Sequence, residues 1–261
     1  LPPVKDVENA DGDIVVPIDL RAWGIWLKGA FGDPITTGTG PYSHEFRSGS
    51  WTLPSMSIET GNPEVPSFRM VAGCVVNTIS WQMQRSGLLT ATVGLIAQGE
   101  TPAGASVAGA LTDIDLVRFG QFNGAIERGG VPLGNIVSAQ ITYSNNLDRI
   151  ETIRNDGKIE GADPTIAALS GSIDVRFADQ VLLDQAIDGE PAELKFSFVR
   201  SASESFELVA HAVYLPKPRL PIQGPAGIQA TFEWQAARDS VLGRMCTATL
   251  INDQPDYNNP S

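Results

Sequence analysis

The residues of this 261-residue chain that could carry chemistry are two histidines, two cysteines and a scatter of carboxylates. A hydrolytic triad needs a base, and only His44 and His211 offer the usual one. His44 adjoins Glu45 in a strand-like segment, where successive side chains point to opposite faces, so the pair makes no dyad. His211 lies in the apolar run Leu208 to Tyr214 and reads as a core or interface residue. Cys74 and Cys246 each fall in a strand-like run and read as reduced, buried thiols. Far apart from each other and from the histidines, they lack the spacing of a zinc site. Asn155-Asp156-Gly157 and Glu160-Gly161-Ala162-Asp163 carry calcium-type ligands at spacings that do not fit an EF-hand, and read as turns. Gly38-Thr39-Gly40 lacks the helix and lysine of a phosphate loop. No carboxylate pair stands out as a glycosidase would require. The expectation is a protein with no catalytic residues, no metal and no cofactor.

Charge narrows the partners. Lysine and arginine number 18 against 30 aspartates and glutamates, a net charge of −12. Tight binding to nucleic acid depends on clustered Lys and Arg that release counterions, so a chain this acidic should not hold DNA by its phosphates. The 42% hydrophobic and 18% charged fractions fit a folded chain. No run approaches the roughly 18 apolar residues of a membrane span, and a soluble protein made in a reducing compartment is expected.

The elements that must position any site are mostly strands. Phe68 to Gln98 reads as a long β-hairpin, with Val75, Ile79, Trp81 and Met83 apolar at period two and Asn77 breaking the pattern once. After Arg85-Ser86-Gly87, Leu89, Ala91, Val93, Leu95 and Ala97 continue it, with Thr90, Thr92 and Gly94 opposite. Thr78, Ser80 and Gln82 complete the polar face. Ahead of the hairpin, Gly12 to Ile18 reads as a strand whose Pro17 favours an edge. Asp19 then caps a helix bearing Trp23, Trp26, Leu27 and Ala30 and ending at Gly32-Asp33-Pro34. Ile35 to Ser67 reads as an extended loop or loose hairpin, and Thr101 to Gly109 as a linker. Asn123-Gly124 signals a two-residue hairpin between Leu116 to Phe122 and Ala125 to Glu127.

The second half echoes the first. Gly171 to Phe177 is a strand, Asp179 caps a helix with Val181, Leu182, Ala186 and Ile187, and Gly189-Glu190-Pro191 ends it. From Ile228 the residues Ala230, Phe232, Trp234 and Ala236 alternate with Gln229, Thr231, Glu233 and Gln235, and this strand is expected to close as a hairpin with Met245 to Ile251. Ala72-Gly73 answers Ala226-Gly227, and Trp81-Gln82 answers Trp234-Gln235. The order strand, Asp cap, helix, Gly-acid-Pro, hairpin therefore reads as a duplication. The predicted fold is mainly β. It has two tandem β-sandwich or barrel domains, each with a flanking short α-helix. The first covers residues 1–110 and the second 111–261, the latter including a connecting hairpin region at 111–165.

The segments ADGDIVVPIDLRAWGIWLKGAFG, GPYSHEFRSGSWTLPSMSIETG, GCVVNTISWQMQRSGLLTATVGLIAQGE, SAQITYSNNLDRIETIR, SGSIDVRFAD, GPAGIQATFEWQAA and MCTATLINDQPDY resemble the phage tail tube proteins, the major tail proteins of long-tailed bacteriophages. Family members carry an additional segment ahead of the position matching Leu1. The resemblance implies self-assembly into stacked rings of three chains with sixfold pseudo-symmetry, or of six chains. It also implies contact with other tail proteins, DNA as transient cargo in the channel and a place in the virion tail after synthesis in the host cytoplasm. On that reading Thr78, Ser80, Gln82, Thr90, Thr92, Gln229, Thr231, Glu233 and Gln235 face the lumen. Thr36, Tyr42, Trp51, Met56, Glu59 and Phe68 belong to a loop reaching the adjacent ring. The alternatives are a β-sandwich binding module for carbohydrate or a surface ligand, and another tail component such as an adaptor or terminator.

Overall fold

The computed structural model describes residues 10–107, 109, 113–176, 181–216 and 229–257. Its strands are β1 (Gly12–Pro17), β2 (Ile35–Thr37), β3 (Tyr42–Arg47), β4 (Met56–Asn62), β5 (Ser67–Gln84), β6 (Thr90–Ile96), β7 (Gly99–Ala103), β8 (Gly124–Arg128), β9 (Val131–Pro132), β10 (Ile136–Ser144), β11 (Asp148–Ile150), β12 (Gly161–Asp163), β13 (Ala168–Arg176), β14 (Ala192–Ser201), β15 (Glu204–Tyr214), β16 (Gln229–Ala237) and β17 (Cys246–Asn252). Two helices, α1 (Trp23–Phe31) and α2 (Val181–Asp188), interrupt them, so the fold is mainly β.

One continuous antiparallel sheet folds back on itself into two layers. The first layer runs β1-β6-β5-β10-β13-β16. A short corner, Ala212 to Tyr214 against Gln235 to Ala237, joins it to the second. There β15 is flanked by β14, β8 and β9 on one side and by β17, β3 and β2 on the other. The apolar faces meet between the layers. Trp81 of β5 lies 6.0 Å from Phe206 of β15, and Trp234 of β16 stacks on Phe196 of β14 at 5.5 Å. Trp23 of α1 closes one end of this interior, edge-on to both Trp81 and Phe206. A fully buried tryptophan in such a position typically contributes about 3–5 kcal/mol against truncation to Ala.

Strands from both halves of the chain build both layers: β5 pairs β10, and β3 pairs β17. The expected hairpin of Gln229 to Ala237 with Cys246 to Asn252 is absent. Instead β16 lies between β13 and the end of β15, while β17 pairs β15 and β3. Phe206, Leu208 and Ala210 on β15 offer β17 a fully apolar partner, and this non-local pairing wins over the local one.

Other expectations change for local reasons. Leu116 to Phe122 contains no strand; a 3-10 turn, Gln121–Asn123, leads directly into β8. The two-residue hairpin turn comes one strand later, at Gly129-Gly130 between β8 and β9, where φ is 54° and 77°. Two consecutive positive φ values suit the twist of a tight hairpin and are open chiefly to glycine. Ile35 to Ser67 holds three strands, β2 to β4, and Thr101 to Ala103 belongs to β7. Asn77 sits at a register shift between Val76 and Thr78. Beyond this bulge the core-facing residues are Cys74 and Val76, so Val75 does not share a face with Ile79, Trp81 and Met83.

Asp19 caps the turn into α1, its Oδ1 accepting the Arg21 and Ala22 amides at 2.6 and 2.7 Å. Burial raises its pKa against the pull of these bonds. Gly32 ends the helix at φ 87°. The second predicted cap, Asp179, lies outside the described residues.

Candidate functional site: a neutral polar sheet face

Alternation puts every second residue of the first layer on the side away from the core, and the register aligns them in rows. One row runs Val15, Thr92, Ser80, Thr142, Ser170, Gln235. Another joins Gln82, Gln140, Ser172 and Glu233. A third joins Gln84, Ser138, Asp174 and Thr231. Thr78 pairs with Ser144 and Gly94, Thr90 with Pro17, and Gln229 with Arg176.

All nine residues assigned to this face by alternation, Thr78, Ser80, Gln82, Thr90, Thr92, Gln229, Thr231, Glu233 and Gln235, therefore share one sheet surface. Gln82 and the four from β16 are exposed, and the rest are half-buried by their neighbours. Sequence reading missed the middle of the surface: Ser138, Gln140, Thr142 and Ser144 of β10, and Ser170, Ser172 and Asp174 of β13. Their alternation is visible in the sequence, but only the pairing of β10 with both β5 and β13 puts them between the two outer sets.

The chemistry of the face is hydroxyl and amide. Asp174 is tied down by two donors, Ser138 Oγ and Thr231 Oγ1, each at 2.6 Å, which staples three strands together on this side. Apart from it, charge is confined to Asp13, Glu233 and Arg176. The outward face of the second layer differs, carrying ion pairs such as Lys195–Glu127 at 2.9 Å, Arg47–Glu45 at 2.6 Å and Arg244–Glu45 at 3.6 Å. The first face thus offers many weak hydrogen-bonding groups and almost no cation.

The six residues assigned to a reaching loop are spread over three settings. Thr36 sits in the β2–β3 ladder, its hydroxyl bonding His44 Nδ1 at 2.9 Å, and Tyr42 begins β3, opposite Asn252 of β17. Trp51 lies on the connector after β3 and is 73% exposed. Met56, Glu59 and Phe68 belong to β4 and β5, where the outer half of β5 leaves the two layers and pairs β4 and β7 as a three-stranded arm. Glu59 anchors the chain after this arm, accepting from Ser106 Oγ at 2.6 Å and the Val107 amide at 2.7 Å. The predicted single loop is thus two hairpins separated by a connector.

The groups capable of acid–base or thiol chemistry are absorbed elsewhere. His44 is fully buried on β3, its Nε2 within 3.1 Å of Asn252 Oδ1 and 3.0 Å of the Gln254 carbonyl. Burial lowers its pKa, and so it does for His211, where Arg244 adds to the effect. Cys74 and Cys246 are free and buried, and burial pushes the Cys246 thiol up to about 12, far from a reactive thiolate. Among the described residues no three His, Cys, Asp or Glu side chains converge as metal ligands. No described helix is long and apolar enough to cross a membrane.

A search among curated proteins returns no match to this chain. A family model described as phage tail tube protein matches residues 1–236, which takes in both layers as far as the penultimate residue of β16 and leaves out β17. With nine-tenths of its length matched, the chain belongs to the phage tail tube protein family, a structural component of the virion tail.

Proposed function

We propose that this protein, made in the host cytoplasm, self-assembles into stacked rings that form the tail tube of a long-tailed phage, with the neutral polar face of the first layer lining the channel through which DNA leaves. One observation carries the reading: six adjacent strands present a broad hydroxyl and amide surface with one arginine against three carboxylates. Phosphates are held by clustered Lys and Arg, and a wall without them lets a duplex slide. The net charge of −12 adds long-range repulsion that salt screens over about 10 Å.

Strand spacing bears on ring size. With strands about 4.8 Å apart and tilted by about 40°, six strands from each of three chains close a backbone cylinder roughly 35 Å across, and six chains one of roughly 70 Å. Three chains already close a cylinder wide enough for a duplex with little room to spare, which favours a three-chain ring over one of six. Each half of the chain contains a first-layer strand followed by a helix, β1 then α1 and β13 then α2. If this order reflects duplication, the three-chain ring has sixfold pseudo-symmetry. The β4–β5–β7 arm and the connector bearing Trp51 are the parts free to meet the next ring or another tail protein. Electron microscopy of the purified chain together with native mass spectrometry tests the proposal. Tubes built from three-chain rings are expected. A protein that stays monomeric under all assembly conditions overturns the reading, and rings of six chains overturn the stoichiometry.

A further inference from the structure

The outer half of β5 leaves the two layers at a single glycine. Its ladder to β6 ends at Val75 opposite Ile96, the arm's ladder to β7 begins at Ala72 opposite Gly99, and between them Gly73 takes a φ of 67°. A positive φ is open chiefly to glycine, so the arm hangs on a backbone pivot. On one side Met56 of β4 rests against α1, its methyl carbon 2.8 Å from where a Cβ on Gly29 would stand. The other side meets a segment that belongs to neither layer. Between β10 and β13 the chain makes a strap, Asn145 to Thr165, closed at its base by the β11–β12 ladder and by the Thr165 amide donating to the Asn145 carbonyl at 3.2 Å. It is tied to the first layer at the bulge, where the Asn145 and Leu147 amides donate to the carbonyl and Oδ1 of Asn77 at 2.8 and 3.0 Å, and by the ion pair Arg149–Asp11.

The returning limb of the strap reaches the pivot. Gln98 Nε2 donates to the Glu160 carbonyl, while the Gln98 side chain lies over Gly73, where an added Cβ would be 2.5 Å from its Oε1. Lys158 covers Gly99 in the same way, its Cε 2.8 Å from where a Cβ would stand. Bonds within the strap aim both contacts. Asp156 Oδ1 accepts the Lys158 amide at 3.1 Å and is itself held by Arg154 Nε at 3.0 Å, and the Glu160 amide donates to the Ile150 carbonyl at 2.9 Å. The glycines on the two strands of the pivot are thus the positions that make room for Gln98 and Lys158. We propose that the strap is a clasp that fixes the angle of the β4–β5–β7 arm within the single chain, with Gln98 as its catch. The clasp acts in one copy before any other is bound, and so lies beyond the tube reading. If rings do form, an arm already aimed loses little conformational freedom on meeting its partner, and association does not carry the entropy of ordering it.

Dipolar distance measurements between spin labels on the unassembled full-length chain test this. Labels on Thr60→Cys in the arm and Ser170→Cys in β13, both exposed positions, report the angle, and the native Cys74 and Cys246 are buried. A single narrow distance distribution is expected. Gln98→Met keeps the length of the side chain without its donor, and replacing residues 151–159 by two glycines removes Lys158 and most of the strap. Each change should broaden the distribution by about twofold or more. Fluorescence of the buried Trp23, Trp81 and Trp234 reports whether the two layers stay folded, and if one variant fails that check the other decides. Loss of folding in both would mean that the strap holds the layers rather than the arm, which overturns the clasp. A broad distribution in the parent chain, or one that stays narrow in every folded variant, also overturns it and leaves the tube reading intact. Failure of the parent chain to form rings or tubes overturns the tube reading and leaves the clasp standing.

Discussion

Tyr257, the last of the described residues, is held by several hydrogen bonds. Its hydroxyl donates to the Arg21 carbonyl at 2.8 Å and accepts from Asn252 Nδ2 at 2.6 Å, while Lys28 Nζ reaches its carbonyl at 3.0 Å. Its ring fills the space a side chain at position 24 would need: a Cβ on Gly24 would sit 2.1 Å from the ring carbon Cζ. Gly24→Ala therefore forces the latch open or the helix aside, and a loss of about 1–3 kcal/mol in urea unfolding is expected. Combining it with Tyr257→Ala should cost less than the two single changes added together, because the second removes the clash created by the first. His44 sits in the same cluster. Its folded pKa lies below the ordinary 6.5, so the unfolded chain takes up a proton first as pH falls. The folded state is at full stability above pH 6.5 and loses it as pH drops from there toward the lowered folded value. His211 acts in the same direction. Denaturation midpoints between pH 7.5 and about 5.5 should fall, with part of the slope lost in His44→Gln and most of it in the double histidine variant.

At the scale of elements, Asn145 is the joint. Fully buried at the end of β10, its Nδ2 donates to the carbonyls of Ala30 in α1 at 2.9 Å and Val76 in β5 at 3.0 Å, and its Oδ1 accepts from Tyr143 at 3.1 Å. Its backbone amide donates to the Asn77 carbonyl, at the bulge, while Asn77 Oδ1 accepts the Leu147 amide at 3.0 Å. Helix, long hairpin and middle strand are thus registered by one side chain and one bulge. Asn145→Ala leaves two buried carbonyls and a tyrosine hydroxyl without this partner. Stability should fall by about 2–4 kcal/mol, measured by denaturant unfolding, with the β-sheet circular dichroism of the folded protein retained. Removal of the half-buried pair Lys195–Glu127 on the outer face should change stability by less than about 1 kcal/mol, since an ion pair that water still reaches is weak.

For the whole molecule, the contrast between the two outward faces is the property that function would use. Ser80 and Gln140 lie near the middle of the neutral face on adjacent strands. Changing both to lysine places two new cations per chain on it without touching the core. Tubes of the double variant should retain duplex DNA in a pull-down at low salt, with retention falling steeply as salt rises, while wild-type tubes retain none. The same substitutions on the outer face, at Thr249 and Ser43 for example, should retain DNA without slowing its exit from the virion. Equal effects from both faces would remove the assignment of the neutral face to the lumen.

Periodicity made the long hairpin of β5 and β6 legible, along with the helix after Asp19, the edge position of Pro17, the burial of both cysteines and the polar set on β16, because each depends on residues near one another in the chain. The hydrophobic alternation also decided which side of each strand is polar. It could not decide which strands are neighbours. The predicted β16–β17 hairpin failed because β15 supplied a better apolar partner from elsewhere, and Val75 changed face because a bulge at Asn77 is invisible to a period-two count until the opposite strand is in place. Ser138 to Ser144 and Ser170 to Asp174 entered the candidate site only through pairing. Sequence by itself determined that the chain makes strands with one polar side, carries no clustered cations and matches tail tube proteins; tertiary structure alone decided that six of those polar sides adjoin as one surface, since adjacency comes from long-range hydrogen bonds that local pattern does not encode.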